Sequence, residues 1–489
     1  MSKYDLLIRG GSLVIPYLGV RKADIGIIGE QIAAVSDTIP VEEGGKIIDA
    51  SGKFVFPGAV DSHFHIGIYR PYKDDAISET TSAASGGVTT ILSYFRTGHS
   101  YLNKMGPYKE IFPELLGLSN DSFLVDYGYH LALFTDEHIG EMEWLVKEAG
   151  VSTFKYFMFY KLLNLAGSSP DALNYLMIDT PIDLGFLYRY MKEVSRVNDL
   201  FKDYGRIPLS IHCENPEIIQ ATQAEVEKNP SGNFLRDYSD ARPPWEEELA
   251  IHEVGVMANN TNCPINFLHL SSQEAVDAAK DVAARYPQLD LLLEATLHHL
   301  SLSHDMDLGR LAKVNPPLRS PEDVEYLWKC VLDGNIKTVV SDHACATKEI
   351  KKGDLWTSLP GFGGTSLTFP VLITEGYHKR GLPLQRIAEL NSANPARYHN
   401  LYPKKGAIMV GSDADFAIVD INKEKEVTLE ILQTGQDFSP EEGMKFKGWP
   451  EYTVLRGKVI FENGKVIGKP GYGEFIKRPL KLHYPEYRD

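Results

Sequence analysis

The chain has 489 residues, 43% of them hydrophobic, and a formal net charge of −16. The length is ample for a long α/β barrel plus a smaller domain, and the acidic balance argues against a general nucleic-acid surface. No uncharged apolar run is long enough to span a membrane, the start MSKYDLLIRGG lacks a signal-peptide core, and Cys213, Cys263, Cys330 and Cys345 form no CxxC, so a reducing cytoplasm is the expected location.

In chain order, LLIRGG, SLVIP, ADIGIIGEQIAAV and KIIDASGKFVFPG are β-rich runs broken by glycine. Eight strand candidates follow: 54–61, 88–94, 122–134, 152–159, 207–212, 265–270, 289–295 and 336–342. Helix-like runs alternate with many of them, at 246–260, 272–286 and 321–334, the last two with apolar residues at helical spacing. Eight such units predict a (β/α)8 TIM-like barrel. The C-terminal runs AIMVGSDADFAIVD and YTVLRGKVIFENGKVIG return to short strands, with a hairpin signal at Asn463-Gly464. Neither end can bury a large core alone. The expected organisation is therefore a small β-sandwich domain built from residues 1–55 and 401–489, with a metallohydrolase barrel over 56–400 inserted between its parts.

Side chains at the C-terminal ends of barrel strands converge on one face. His63 and His65 sit just after the first candidate strand, Lys155 in the fourth, His212 at the end of the fifth, His269 of the sixth and Asp342 of the eighth. Singly, each has a plain reading: a packing histidine, a lysine whose stem snorkels, a helix-capping aspartate. Together they form a candidate metal site. A spacing of two puts His63 and His65 on one side of an extended segment. Imidazole nitrogens suit zinc and a carboxylate adds a harder ligand. An ammonium has no lone pair to offer, so Lys155 fits only after its amine has reacted with carbon dioxide. The carbamate's two oxygens can bridge two metals ~3.5–4 Å apart that share a hydroxide.

The ordered motifs resemble the amidohydrolase superfamily, and within it the dihydropyrimidinase, hydantoinase and allantoinase group of cyclic amidases. They are VFPGAVDSHFHIG, ASGGVTT, VDYGYH, FKYFMFY, IHCEN, FLHLSS, NPPLRS, SDHA, NSANPAR and KKGAIMVGSDADFAIVD. VDYGYH is most similar to the D-hydantoinase and dihydropyrimidinase branch. The resemblance implies that His63, His65 and Asp342 bind the more buried of two divalent ions, most commonly Zn2+, and that His212 and His269 bind the other. N6-carboxylated Lys155 would bridge them. It further implies a metal-bridging hydroxide that attacks a ring carbonyl, Asp342 as the group that moves the proton, and Tyr160 as a donor to the developing oxyanion. Asn315 and Phe64 are candidate substrate contacts. The expected partner is a small cyclic amide or ureide, and the expected assembly a homotetramer, with a homodimer second.

The sequence also departs from its relatives. Phe64 stands where hydantoinases commonly have threonine, and Gly67 stands where dihydroorotases have an arginine, with Arg70 shifted from that place. SLPGFGG lacks the asparagine with which dihydropyrimidinases read the ring. The loop 161–177 is expected to close over the pocket with Leu162 and Leu163. Roles for His130, His298, His299 and Cys345 are left open, and Cys213 is expected to face away from His212. The alternatives are allantoinase-like or cyclic-imide hydrolysis and, from another class, a noncatalytic scaffold protein that resembles dihydropyrimidinases.

Overall fold

Eight parallel strands form the centre of the molecule in a computed structural model that describes residues 2–98, 100–160 and 182–487; the side chain of Tyr160 lies outside the described part. They are β1 (Ala59–His65), β2 (Val88–Arg96), β3 (Asp126–Ala132), β4 (Phe154–Phe157), β5 (Leu209–His212), β6 (Ile265–Phe267), β7 (Leu291–Thr296) and β8 (Thr338–Val340). Each pairs with the next in parallel, and nearly every residue in them is buried, as strands covered on both faces require. Beyond β8 the chain turns through Ser341 and Asp342, and His343–Ala344 then pairs with Phe64 and His65 of β1. The sheet thus curls until its end meets its beginning, the TIM-like barrel expected from the eight repeats.

The first expected strand, 54–61, is in fact two. Phe54–Pro57 pairs antiparallel with Phe416–Glu426 outside the barrel, and β1 begins at Ala59, so His63 and His65 lie inside β1 rather than after it. Gly58 makes the break possible: a Cβ there would lie 2.2 Å from Thr89 Oγ1. The other seven candidates coincide with β2 to β8, with their ends moved by a few residues. The three helix-like runs become Pro244–Thr261, Gln273–Arg285 and Pro321–Leu332. The Ser272 and Ser320 side chains accept N–H groups at the starts of the last two, and Ser320 with Asp323 completes a capping box. The helix Leu184–Leu200, not singled out from the sequence, buries Phe186, Tyr190, Val194 and Val197 at helical spacing.

Both chain ends build the second layer system. A four-stranded sheet holds Tyr4–Arg9 between Asp24–Ile28 and Gly44–Asp49, and a seven-stranded sheet sets Phe54–Pro57 beside Phe416–Glu426. Leu6, Ile8, Ile25 and Ile27 of the one pack with Val55, Phe416, Ile418 and Val454 of the other in a common core. Asn463 (φ 49°) and Gly464 (φ 89°) make the expected hairpin turn. Among the described residues no helix is long and apolar enough to cross a membrane.

Candidate metal centre

All six candidate ligands line one cavity at the C-terminal mouth of the barrel. His63 and His65 project from β1 with ring centroids 5.5 Å apart. Lys155 rises from β4, His212 closes β5, His269 follows β6, and Asp342 lies in the turn between β8 and His343. Two of these positions have left-handed backbone, His269 at φ 35° and Asp342 at φ 51°. Such conformations are strained for non-glycine residues and persist where surrounding structure holds them. Here they turn the two side chains inward at the point where each strand ends.

Asp342 Oδ1 lies 3.0 Å from His63 Nε2 and 3.3 Å from His65 Nε2, and the ligand atoms of these three residues all fall within 4.8 Å of one another. His212 and His269 face each other across 4.4 Å between ring centroids, and His269 stands 5.4 Å from His63. Lys155 Nζ sits among them, 4.6 Å above both the Tyr94 and Phe157 rings. Neither it nor His269 Nδ1 has a hydrogen-bond partner among the described residues. A buried amine without a partner is costly, so it marks a place where a further group belongs.

The electrostatics suit cation binding. Burial pulls the Lys155 amine down to about 7, against the pull of Asp342 and Glu294, so a neutral amine is accessible. Burial also lowers His65 to about 4 and depresses His212 and His269, which favours the neutral imidazoles that ligate metals. At His63 burial opposes a charge, but the Asp342 and Glu294 carboxylates outweigh it and lift the group to about 9. That Asp342 carboxyl is held well below its ordinary range, because the His63 charge and the two imidazole hydrogen bonds overcome its burial. Four imidazoles, a carboxylate and an amine prone to neutrality are a donor set that fits a binuclear divalent-metal centre.

Carboxylates behind the histidines orient them. Glu294 of β7 accepts from His63 Nδ1 at 2.7 Å, leaving Nε2 toward the cavity. Glu214 lies 2.5 Å from His212 Nε2, and its other oxygen accepts from Arg242 at 2.8 Å. This presents Nδ1 of His212 to the site. The sequence reading passed over both glutamates, although a carboxylate inside the apolar run LLLEA was a usable signal.

The remaining candidates divide. Asn315 lines the cavity, and its Oδ1 accepts from the Tyr238 hydroxyl at 2.5 Å. Phe64 does not line it. It points to the opposite face of β1 and stacks on His343 at 4.4 Å. Arg70 and Cys345 face each other at 3.4 Å in a separate buried cluster with Asp75 and Glu79. His130 bridges the Ser62 carbonyl and Thr153 behind Tyr94, and His299 holds the Pro316 and Pro317 carbonyls beside Asn315. His298 packs between His299 and Phe362. Cys213 turns back toward the Ile211 carbonyl, and burial pushes its thiol far up. Leu162, Leu163 and the rest of the loop 161–177 lie outside the described residues, as does the Tyr160 side chain. Arg96, Tyr101, Ile68, Tyr69, Phe157, Phe159 and Val314 also line the wall and were not anticipated.

A family model described as the amidohydrolase family matches residues 180–460. The chain is 34% identical over 483 residues to an allantoinase of Rubrobacter xylanophilus, covering 98% of each. It is 30% identical over 495 residues to a D-hydantoinase of Geobacillus stearothermophilus, covering 96% of each. The solved structure of an L-hydantoinase (dihydropyrimidinase) from Arthrobacter aurescens superposes with a TM-score of 0.85 at 29% identity, over 97% of this chain and all of the other. The chain belongs to the amidohydrolase family. Within it, the chain falls in the group of dihydropyrimidinases, hydantoinases and allantoinases.

Proposed function

We propose that this protein opens a cyclic amide or ureide ring of the hydantoin or dihydropyrimidine type by metal-dependent hydrolysis of a ring C–N bond. The observation that carries the reading is the convergence of His63, His65, Lys155, His212, His269 and Asp342, from five strand ends, in one cavity. His63, His65 and Asp342 would hold one cation, His212 and His269 the other, and Lys155, as its carbamate, would reach both. When bound, the cations supply Lewis acidity and make water acidic enough to attack near neutral pH. The imidazole-rich donor set favours zinc.

The protein's own residues then do the following. Asp342 takes the proton of the attacking water and delivers it to the leaving ring nitrogen, a role suited to a carboxylate that is ionised at rest. Tyr160 donates to the oxygen that gains charge as the carbonyl becomes tetrahedral. With Tyr238 occupying its Oδ1, Asn315 keeps its amide N–H groups to donate to a ring carbonyl. Phe157, Phe159, Ile68 and Val314 exclude bulk water from the reacting bond.

The similarity to allantoinases favours a second reading of the same chemistry, since allantoin is itself a hydantoin ring with a ureido substituent. A homotetramer in the cytoplasm completes the proposal. An oligomer is supported by exposed Trp245, Leu249 and Val256 along one helix, and a reducing compartment by four buried free thiols. The test is a panel of hydantoins, dihydropyrimidines, allantoin and cyclic imides, offered to protein carrying two metal ions per chain. Ring opening of a hydantoin or dihydropyrimidine supports the proposal, and opening of allantoin or an imide alone selects the corresponding alternative. Failure on every ring overturns it in favour of a noncatalytic protein.

A further inference from the structure

Tyr238 stands behind the cavity wall: it does not line the cavity, but its hydroxyl bonds to Asn315, which does. The helix Phe234–Asp240 brings it there. Leu235 of that helix packs with Val314 and Leu318 in a small apolar core, and Tyr238, three residues on, shares its face. The main chain on both sides of Asn315 is pinned. The Gly361 N–H donates to the Lys313 carbonyl at 2.9 Å, and His299 Nε2 lies 3.2 Å from the Pro316 carbonyl. What is left to settle is the rotation of the Asn315 side chain. Its two ends differ in kind, because Oδ1 accepts hydrogen bonds and Nδ2 donates them, and a half turn of the amide exchanges the two.

The surroundings of Tyr238 settle which end faces the cavity. Burial lifts its phenol to about 12, against the pull of the Arg242 charge, so the hydroxyl keeps its proton across the neutral range. The Arg242 guanidinium lies 5.1 Å and Lys313 Nζ 4.5 Å from the Tyr238 ring centroid. Neither takes the phenolic proton. A guanidinium has no acceptor, and Lys313 turns its nitrogen to the carbonyls of Leu355, Trp356 and Ser358. Cations over the ring draw on its electron density, which makes the hydroxyl a better donor. Asn315 Oδ1, at 2.5 Å, receives that proton. The reversed amide would set Nδ2 against the phenol and leave a buried O–H without an acceptor, a costly arrangement. Nδ2, which has no partner among the described residues, is therefore the end kept for a ligand. Arg242 also donates to Glu214, the carboxylate behind His212. One guanidinium thus braces both a metal ligand and the group beside the ring.

We infer that Tyr238 is a positioning residue: its hydroxyl locks Asn315 with the amide N–H groups toward the cavity, and the site thereby selects rings that present a carbonyl oxygen there over rings whose group at that place accepts weakly. The inference rests on the ring-opening reading above and extends it from the bond that is broken to the ring that is admitted. A ring without that oxygen leaves the Asn315 amide unpaired in the closed site, and the locked amide cannot turn to offer its other end.

The experiment compares hydantoin with 2-thiohydantoin, the same ring with a weakly accepting sulfur in place of its second carbonyl oxygen. It uses metal-replete wild type, Y238F, Y238H, N315A and the Y238F/N315A double variant. The quantity read is the ratio of kcat/KM for the oxygen ring to that for the sulfur ring. It is expected to be about tenfold higher in the wild type than in N315A, the worth of one good hydrogen bond. In Y238F it should fall most of the way to the N315A value, and in Y238H, which keeps an N–H donor, it should recover in part. The loss should appear in KM more than in kcat, since the carbonyl that is read is not the one attacked. In the double variant the ratio should equal that of N315A. Three results overturn the inference: a wild-type ratio no larger than that of N315A, which needs no change at Tyr238; a Y238F ratio that stays at the wild-type value; or an equal fall on removing the hydroxyl with and without Asn315, as a merely structural role would give. If no ring is opened by any form, the hydrolase reading falls. Calorimetric affinities for the two rings then replace the rates, and the Tyr238 inference is judged by the same three comparisons and falls if neither ring binds.

Discussion

Two buried clusters of ionisable side chains in this protein differ in purpose. Asp126, Asp413 and Asp415 come together behind the barrel, and His63, His65 and Asp342 come together at its mouth; each trio places its ligand atoms within 4.8 Å. The first contains its own cation. Lys405 Nζ lies 2.5 Å from Asp126, 2.9 Å from Asp413 and 2.7 Å from Asp415, with its side chain fully buried. The Asp75–Glu79–Cys345 trio likewise holds Arg70. At the mouth, the nearest candidate for that part is Lys155, and it makes no hydrogen bond to any of the described residues. Its amine is pulled down to about 7 by burial, whereas the Lys405 amine is raised far above its ordinary value, its three carboxylates outweighing burial. A lysine that neutralises carboxylates is part of the scaffold. A lysine whose surroundings drive off its proton is prepared for chemistry.

The sharpest way to break that contrast is to exchange the two lysines for side chains without nitrogen. Lys155→Ala should lower ring-opening activity at least ~10⁴-fold and reduce bound metal below two per chain while leaving the thermal midpoint near wild type. Small carboxylic acids added at millimolar concentration should restore part of the activity, because a free carboxylate can stand where the carbamate would. Inductively coupled plasma analysis and steady-state rates check both statements. Lys405→Met should do the reverse. Three buried carboxylates lose their counter-ion, which destabilises the fold by about 3–5 kcal/mol, read as a shift in denaturant midpoint. The folded fraction should still bind two metals.

A smaller effect is expected at the carboxylates that orient the histidines. Glu294→Gln keeps a hydrogen-bond acceptor for His63 Nδ1 but removes the charge that fixes the ring. Metal affinity should fall by about 10–100-fold, measured by competition with a chelator. A similar loss in Glu214→Gln, confined to the second metal, would confirm that the two cations are held by separate histidine pairs.

How much of this was legible beforehand depends on periodicity. The six candidate ligands were readable because each lies in or just beyond a buried strand, as a polar residue set against an apolar run. Phe64 shows the limit of reading residue type without its face. The alternation that turns Cys213 away from His212 also turns Phe64 away from His63 and His65, against His343. The first strand was drawn too long because residues 54–60, FVFPGAV, form one continuous apolar run, and Gly58, packed close against Thr89, divides it between two sheets. Tyr101 and Tyr69 were invisible for a different reason. They stand in loops without a repeating pattern, and only the closed barrel brings those loops over the cavity.

The smallest predicted effect tests the chemistry of Lys155 directly. Carbamate formation needs the free base, since an ammonium has no lone pair with which to attack carbon dioxide. Burial places the Lys155 amine at about 7, so the reactive form dominates above that pH and is lost as pH falls below it. Reconstitution of metal-free protein with metal at a fixed concentration of dissolved carbon dioxide should therefore slow roughly tenfold between pH 8 and pH 6. An ordinary surface lysine, with a pKa near 10.4, would slow by roughly a hundredfold over the same interval. A rate that tracks the steeper line would mean that the amine is protonated across this range like any exposed lysine. The distinction between the two buried lysines would then vanish, and with it the reason to place the bridging group at β4.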